Sequence, residues 1–139
     1  MTQLEQMTPV PLLQREGEFD LLLEMYAERK PKRVLEVGTY HGGTLYHWLR
    51  LAEPGAVVVS LDSYATEVDN RHLYEQWRPE GVALVVIDGD SRSEGAIEAA
   101  RRAAPYDWIF IDAGHFYDEV KADWQNYGPM CGKGGVVCF

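Results

Sequence analysis

Two hydrophobic periods alternate along this chain. From Leu13 to Lys30 the apolar residues Phe19, Leu22, Leu23 and Tyr26 recur at helical spacing, and Pro31 stops the run. Arg33–Val37 then forms a short apolar run closed by Gly38, the pattern of a strand. The same change of period repeats. Thr44–Ala52 predicts a helix ended by Pro54-Gly55, and Ala56–Leu61 an almost continuously apolar strand, as parallel strands are. Val68–Trp77 predicts a helix, Val82–Ile87 a third strand, Ser93–Ala104 a helix and Tyr106–Ile111 a fourth strand. Tyr117–Tyr127 predicts a helix, and Gly134–Phe139 begins a fifth strand. Strands separated by helices imply βαβ units, a parallel sheet and one α/β domain. Residues 1–12, with Pro9 and Pro11 and no sustained period, read as an arm ahead of a core at 13–139.

Composition narrows the function classes. Thirteen Lys+Arg against 22 Asp+Glu give a net charge of −9, which disfavours tracking a phosphate backbone. No apolar run reaches membrane-spanning length, and no signal peptide opens the chain. Two cysteines, Cys131 and Cys138, make neither a disulfide scaffold nor a metal-ligand spacing. These features predict a soluble cytosolic domain.

In open α/β sheets the ligand sits outside the carboxyl ends of the strands, so the residues after each predicted strand carry the chemistry. After the first come Gly38, Thr39, Tyr40, Gly42 and Gly43, a glycine-rich turn with room for a ligand, preceded by Glu36 inside an apolar strand. Burying that carboxylate is costly unless a ligand amine or a hydrogen-bonded turn meets it. Asp62 ends the second strand, 24 residues after Gly38, the place of a ribose-binding carboxylate; it is also a good turn start with Ser63, and the spacing favours the ribose role. Gly89, Asp90 and Ser91 follow the third strand, facing an adenine edge or capping the next helix through Ser91 or Ser93. Asp112, Gly114 and His115 follow the fourth, with Asp112 suited to a cation or substrate and His115 to a proton near neutral pH. Trp77, Trp108, Phe116, Tyr117 and Trp124 serve as core or as an acceptor-site lining, core being the commoner use of such spacing.

Taken in order, Val34–Thr44, Leu61-Asp62, Gly89–Ser91, Ile111–Asp118 and Gly134–Phe139 resemble the class I S-adenosylmethionine-dependent methyltransferases. The form is nearest the small-molecule O-methyltransferase branch that includes macrocin O-methyltransferase and the cephalosporin hydroxylase-like proteins. The resemblance implies a Rossmann-like, three-layer α/β/α fold with a mostly parallel sheet of order 3-2-1-4-5. It also implies site roles. Glu36 would position the cofactor's amine; Gly38, Thr39, Tyr40 and Gly42 would border its methionine moiety. Asp62 would hold the ribose, with Ser63 and Tyr64 beside the adenosine, and Gly89, Asp90 and Ser91 would border adenine. Asp112 would lie by the sulfonium and, in metal-dependent relatives, ligate Mg²⁺. His115 would be the general base for a hydroxyl of a small-molecule acceptor, with Tyr117 and Asp118 near the substrate or starting the helix.

The family's sheet has seven strands, and this chain reaches only the fifth. The expectation is a shortened core without strands six and seven, whose fifth-strand edge a second copy could cover. Two other readings remain open: a non-catalytic S-adenosylmethionine-binding module or fragment, and an NAD-dependent oxidoreductase. Tyr40, where a dinucleotide fingerprint needs glycine, counts against the last.

Overall fold

The computed structural model describes residues 7–64 and 69–139. Helix α1 (Glu16–Arg29) precedes strand β1 (Arg33–Val37), after which helices and strands alternate. They are α2 (Gly43–Arg50), β2 (Val57–Asp62), α3 (Arg71–Trp77), β3 (Ala83–Asp88), α4 (Glu94–Arg101), β4 (Tyr106–Ile111) and α5 (Tyr117–Tyr127). A 3₁₀ turn, Gly128–Met130, runs into β5 (Cys131–Cys138). The strands form one parallel sheet of order β3-β2-β1-β4-β5, as expected.

Alternation along buried parallel strands sorts side chains into two layers. Val34, Val58, Trp108 and Phe110 face α1, α2 and α3, where they meet Phe19, Tyr26, Trp48 and Trp77. Leu35, Val37, Val59, Leu61, Ile109 and Ile111 face α4 and α5, against Ala96, Ala100 and Tyr127. The first layer is aromatic: Trp48 lies 4.9 Å from Tyr26, 5.6 Å from Phe19 and 5.6 Å from Trp108 between ring centroids. The Tyr26 hydroxyl satisfies its burial by donating to the Trp48 carbonyl at 2.8 Å.

Several boundaries differ from the sequence expectation. β5 begins three residues before Gly134, because Cys131 pairs with Tyr106 and a register shift between Tyr106 and Trp108 absorbs the glycine run. Gly134 takes φ 81°, and a Cβ on Gly135 would meet Tyr106 and Asp107 carbonyls at 3.0 and 3.1 Å. Cys-Gly-Lys-Gly-Gly reads as a loop by composition but is an irregular strand by packing. Helix α2 starts at Gly43 and stops at Arg50, α4 ends at Arg101 with Ser93 as its N-cap, and α3 starts at Arg71. The predicted start of α3 at Val68, like residues 1–6 of the arm, lies outside the described residues. Of the five aromatics read mainly as core, Trp77 and Trp108 are buried, whereas Phe116 and Tyr117 are each 77 % exposed and Trp124 is exposed too. Among the described residues no helix is long and apolar enough to cross a membrane.

The segment before α1 packs onto the sheet layer. Leu12 is buried in the aromatic layer with Val10 against it, and the Pro11 carbonyl presses on Gly43, where a Cβ would sit 2.4 Å from it. Thr8 hydrogen-bonds His47 at 2.8 Å, and burial holds the His47 imidazole below its usual pKa.

A cleft at the carboxyl ends of the strands

Backbone ladders run one residue past three strands and hold the loops in register. Gly38 donates to the Leu61 carbonyl at 2.8 Å, Gly89 to that of Asp62 at 3.0 Å, and Asp112 to that of Val37 at 2.8 Å. Four loops therefore end at one level, around a cavity of about 730 Å³. Its wall includes Gly38, Thr39, Tyr40, Asp62, Ser63, Gly89, Asp90, Ser91, Asp112 and His115. Two predicted site residues lie behind it. Gly42, at φ 91°, is flush with the Tyr74 and Trp77 rings, so the space its missing side chain leaves is filled by protein; Gly43 takes its place on the wall. Glu36 is fully buried on the aromatic side of β1.

Glu36 has neighbours on one oxygen only. Its Oε2 accepts the Thr44 hydroxyl at 2.5 Å and the Trp48 indole N–H at 2.7 Å, while Oε1 has no partner. Burial dominates and pushes its pKa up to about 8, with the hydrogen bonds opposing and Asp112 adding repulsion. Thr44 itself lines the cavity, so its hydroxyl joins the buried carboxyl to the wall. Thr39 and Ser60 share a 2.6 Å hydrogen bond, which Ser60 extends to the Tyr64 hydroxyl at 2.9 Å.

At Asp62 both sequence readings meet. Oδ2 accepts the Tyr40 amide at 2.6 Å and Oδ1 that of Tyr64 at 3.0 Å, the turn-start role. The carboxylate nonetheless stands on the cavity wall, with further lone pairs available. It also holds the two loops in shape, since Tyr40 and Tyr64 both adopt φ 51°. Tyr64 carries the Arg71 guanidinium over its ring at 4.4 Å.

Asp90 Oδ1 accepts the Arg92 amide at 2.8 Å, and its carbonyl accepts from Ser93, the helix cap. Ser91 is committed elsewhere: its hydroxyl donates to Asp123 Oδ1 at 2.7 Å, and its carbonyl accepts from the Tyr127 hydroxyl at 2.6 Å. Asp123 and Glu119, both on the wall, escaped the sequence reading. Their four-residue spacing on α5 was the available signal, since it sets both on one helix face. Burial raises the Asp123 carboxyl above the usual range against the pull of Ser91 and Arg92.

Gln14 escaped as well. Its side-chain amide donates to Asp112 Oδ2 at 2.7 Å, so the segment before α1 closes one side of the cleft. Asp112 is half-buried, and that desolvation raises its carboxyl above the usual range against Gln14 and His115. His115 is exposed at the mouth; the Glu119 carboxylate accepts its amide at 3.2 Å and that of Phe116 at 3.3 Å, fixing the loop. Tyr117 and Asp118 open α5 and face solvent.

The wall can hold a ligand carrying positive charge. Five carboxylates, Asp62, Asp90, Asp112, Glu119 and Asp123, face the cavity against the single guanidinium of Arg92, and the partly satisfied Glu36 carboxyl lies behind the wall. The volume lies in the ~300–1,000 Å³ range of small-molecule pockets. A metal fits less well: among the described residues no three His, Cys, Asp or Glu side chains gather closely enough to hold one.

A family model described as a methyltransferase domain matches residues 35–139. Among solved structures, the MycE methyltransferase of the mycinamycin biosynthetic pathway, in complex with Mg and SAH, is 26% identical with a TM-score of 0.63, over 87% of this chain and 32% of that one. The O-methyltransferase TomG from Streptomyces achromogenes, involved in tomaymycin synthesis and in complex with SAM, matches with a TM-score of 0.69 at 22% identity, over 97% of this chain and 60% of that one. An O-methyltransferase from Bacillus cereus in complex with SAH gives 0.70 at 19%, over 89% and 56%. The chain thus spans about a third of the first structure's length and under two thirds of the others'.

Proposed function

Because the chain belongs to the methyltransferase domain family and has its Rossmann-like fold, we propose that the cleft binds S-adenosylmethionine and serves transfer of its methyl group to a hydroxyl of a small molecule. One observation carries the reading: four strand-end loops bring Gly38, Asp62, Asp90 and Asp112 onto the wall of a single acidic cavity. The cofactor supplies a methyl group on a sulfonium, already a good leaving group.

The residues have the following work. Asp62 accepts from the ribose hydroxyls with lone pairs that Tyr40 and Tyr64 leave free. Gly89 and Asp90 border the adenine, while Ser91 shapes that wall through Asp123. Gly38 and Thr39 line the methionine end, and Glu36 lies behind it. Asp112, steadied by Gln14, faces the reacting centre, and His115 at the mouth takes the acceptor's proton. Asp112 is the candidate contact for Mg²⁺. Among the described residues no three His, Cys, Asp or Glu side chains gather around it to complete a metal site.

Calorimetry with S-adenosylhomocysteine tests the cofactor assignment. One site per chain is expected, and Asp62→Ala should weaken it by about 1–3 kcal/mol. Unchanged affinity would remove Asp62 from the ribose site; stabilisation by NAD instead would overturn the cofactor. His115→Ala should slow methyl transfer to a hydroxylated acceptor about 10²–10⁴-fold, with homocysteine-cofactor affinity unaltered. An unchanged rate at the pH optimum would rule His115 out as base.

A further inference from the structure

The buried carboxyl behind the wall has a use beyond holding the cofactor. Glu36 sits on β1 with zero exposure, yet offers Oε1 to nothing. Evolution of a negative charge there meets no compensating cation. The groups acting on it are the hydroxyls of Thr39 and Thr44, the indole of Trp48 on α2, the Asp112 carboxylate after β4, and the Tyr74 phenol from α3. Thr39, Thr44 and Trp48 are neutral donors, Tyr74 is a neutral phenol, and Asp112 repels. An ionised carboxyl in such a place is poorly solvated, whereas the acid form leaves only a weakly demanding hydroxyl unpaired. The arrangement changes when a cation arrives, because a positive charge near Thr44 favours the carboxylate.

Resting on the cofactor reading above, we propose that Glu36 is a neutral acid in the free chain and loses its proton to solvent when the ammonium of S-adenosylmethionine or S-adenosylhomocysteine enters the cleft. The bookkeeping is simple: the carboxylic acid becomes a carboxylate whose charge the ammonium offsets from across the wall, and one proton goes to solvent. Cofactor binding is then linked to pH with no change of fold. The direction of the Glu36 shift agrees with this.

Titrating the full chain with S-adenosylhomocysteine at pH 7, in phosphate and in Tris, reads the proton directly, because the two buffers take it up with different heats. Release of close to one proton per site is expected, and affinity should rise close to tenfold between pH 6 and 7. Glu36→Gln, which keeps the shape and an acceptor for Thr44 and Trp48, should bind more weakly, with buffer-independent heat and a flat pH profile. A second reading needs no variant: in the free chain, one of the four indole N–H resonances, that of Trp48, should titrate with its midpoint near 8. Buffer-independent heat in the unaltered chain overturns the inference, and so does proton release that survives Glu36→Gln. Absence of any binding heat from pH 6 to 9 would instead sink the cofactor reading, and this inference with it.

Discussion

Gly38→Ala is expected to cost about 2–5 kcal/mol of folding free energy, combining a left-handed backbone with a closed contact. Gly38 takes φ 91°, and a Cβ there would sit 2.5 Å from both the Ala113 Cα and the Asp112 carbonyl oxygen. Those atoms belong to the loop after β4, which the Asp112–Val37 backbone bond ties to β1. The neighbour cannot step aside without breaking the ladder that sets the level of the cleft. Gly17, with nothing within 4 Å, is the internal control, and Gly17→Ala should leave stability unchanged or slightly higher. Urea unfolding of both variants measures the contrast; equal midpoints would mean that the two loops do not touch as described. Any Gly38→Ala protein that folds should also lose cofactor affinity, since Asp112 must move.

The second large effect concerns acid. Between pH 4.5 and 8 the stability of the free chain should fall as pH rises, opposite to the usual behaviour of surface carboxylates. The folded chain keeps the Glu36 proton up to about 8, while an unfolded glutamate releases it near 4.5. Stability from this group is therefore complete below the unfolded value and lost as pH rises through the folded one. The slope approaches about 1.4 kcal/mol per pH unit for one proton. Asp112 and Asp123 are raised too and act with the same sign. Asp69, lowered to about 2 by Arg71, acts with the opposite sign only in strong acid, and His47, held below 6.5 by burial, opposes the decline as pH rises toward that value. Urea midpoints at pH 5, 6.5 and 8 should decline, and Glu36→Gln should flatten most of the decline. Midpoints that climb toward pH 8, or a variant with the same slope, would show that Glu36 is ionised in the fold.

Particular elements show what the sequence makes legible. The strand at Arg33–Val37 and the one at Tyr106–Ile111 match their predicted limits, because each is a compact apolar run closed by a polar residue or glycine. Glycine-rich β5 begins earlier than predicted, since its glycines answer to the neighbouring strand rather than to a turn. In the cleft, strand ends placed most predicted residues on one wall, for the topology alone brings such ends together. Gly42 shows the limit: a glycine signals that something comes close, and here it is the Trp77 and Tyr74 rings. Gln14 was invisible because its partner, Asp112, lies 98 residues away and nothing in an aperiodic segment announces such a contact. Phe116 and Tyr117 could not be told from core residues, as exposure is decided by which side of α5 the sheet covers.

The covering of the cleft by residues 11–14 has a consequence for how this protein can be altered. Pro11, Leu13 and Gln14 form a wall that belongs to no strand-end loop and precedes the span matched by the family model. The groups assigned to adenosine stand on the loops after β2 and β3. Exchanging the early segment would therefore reshape the entrance facing Asp112 while leaving the nucleoside wall in place. The entrance beside Asp112 and the wall assigned to the nucleoside thus come from separate stretches of the chain, joined where Gln14 meets Asp112.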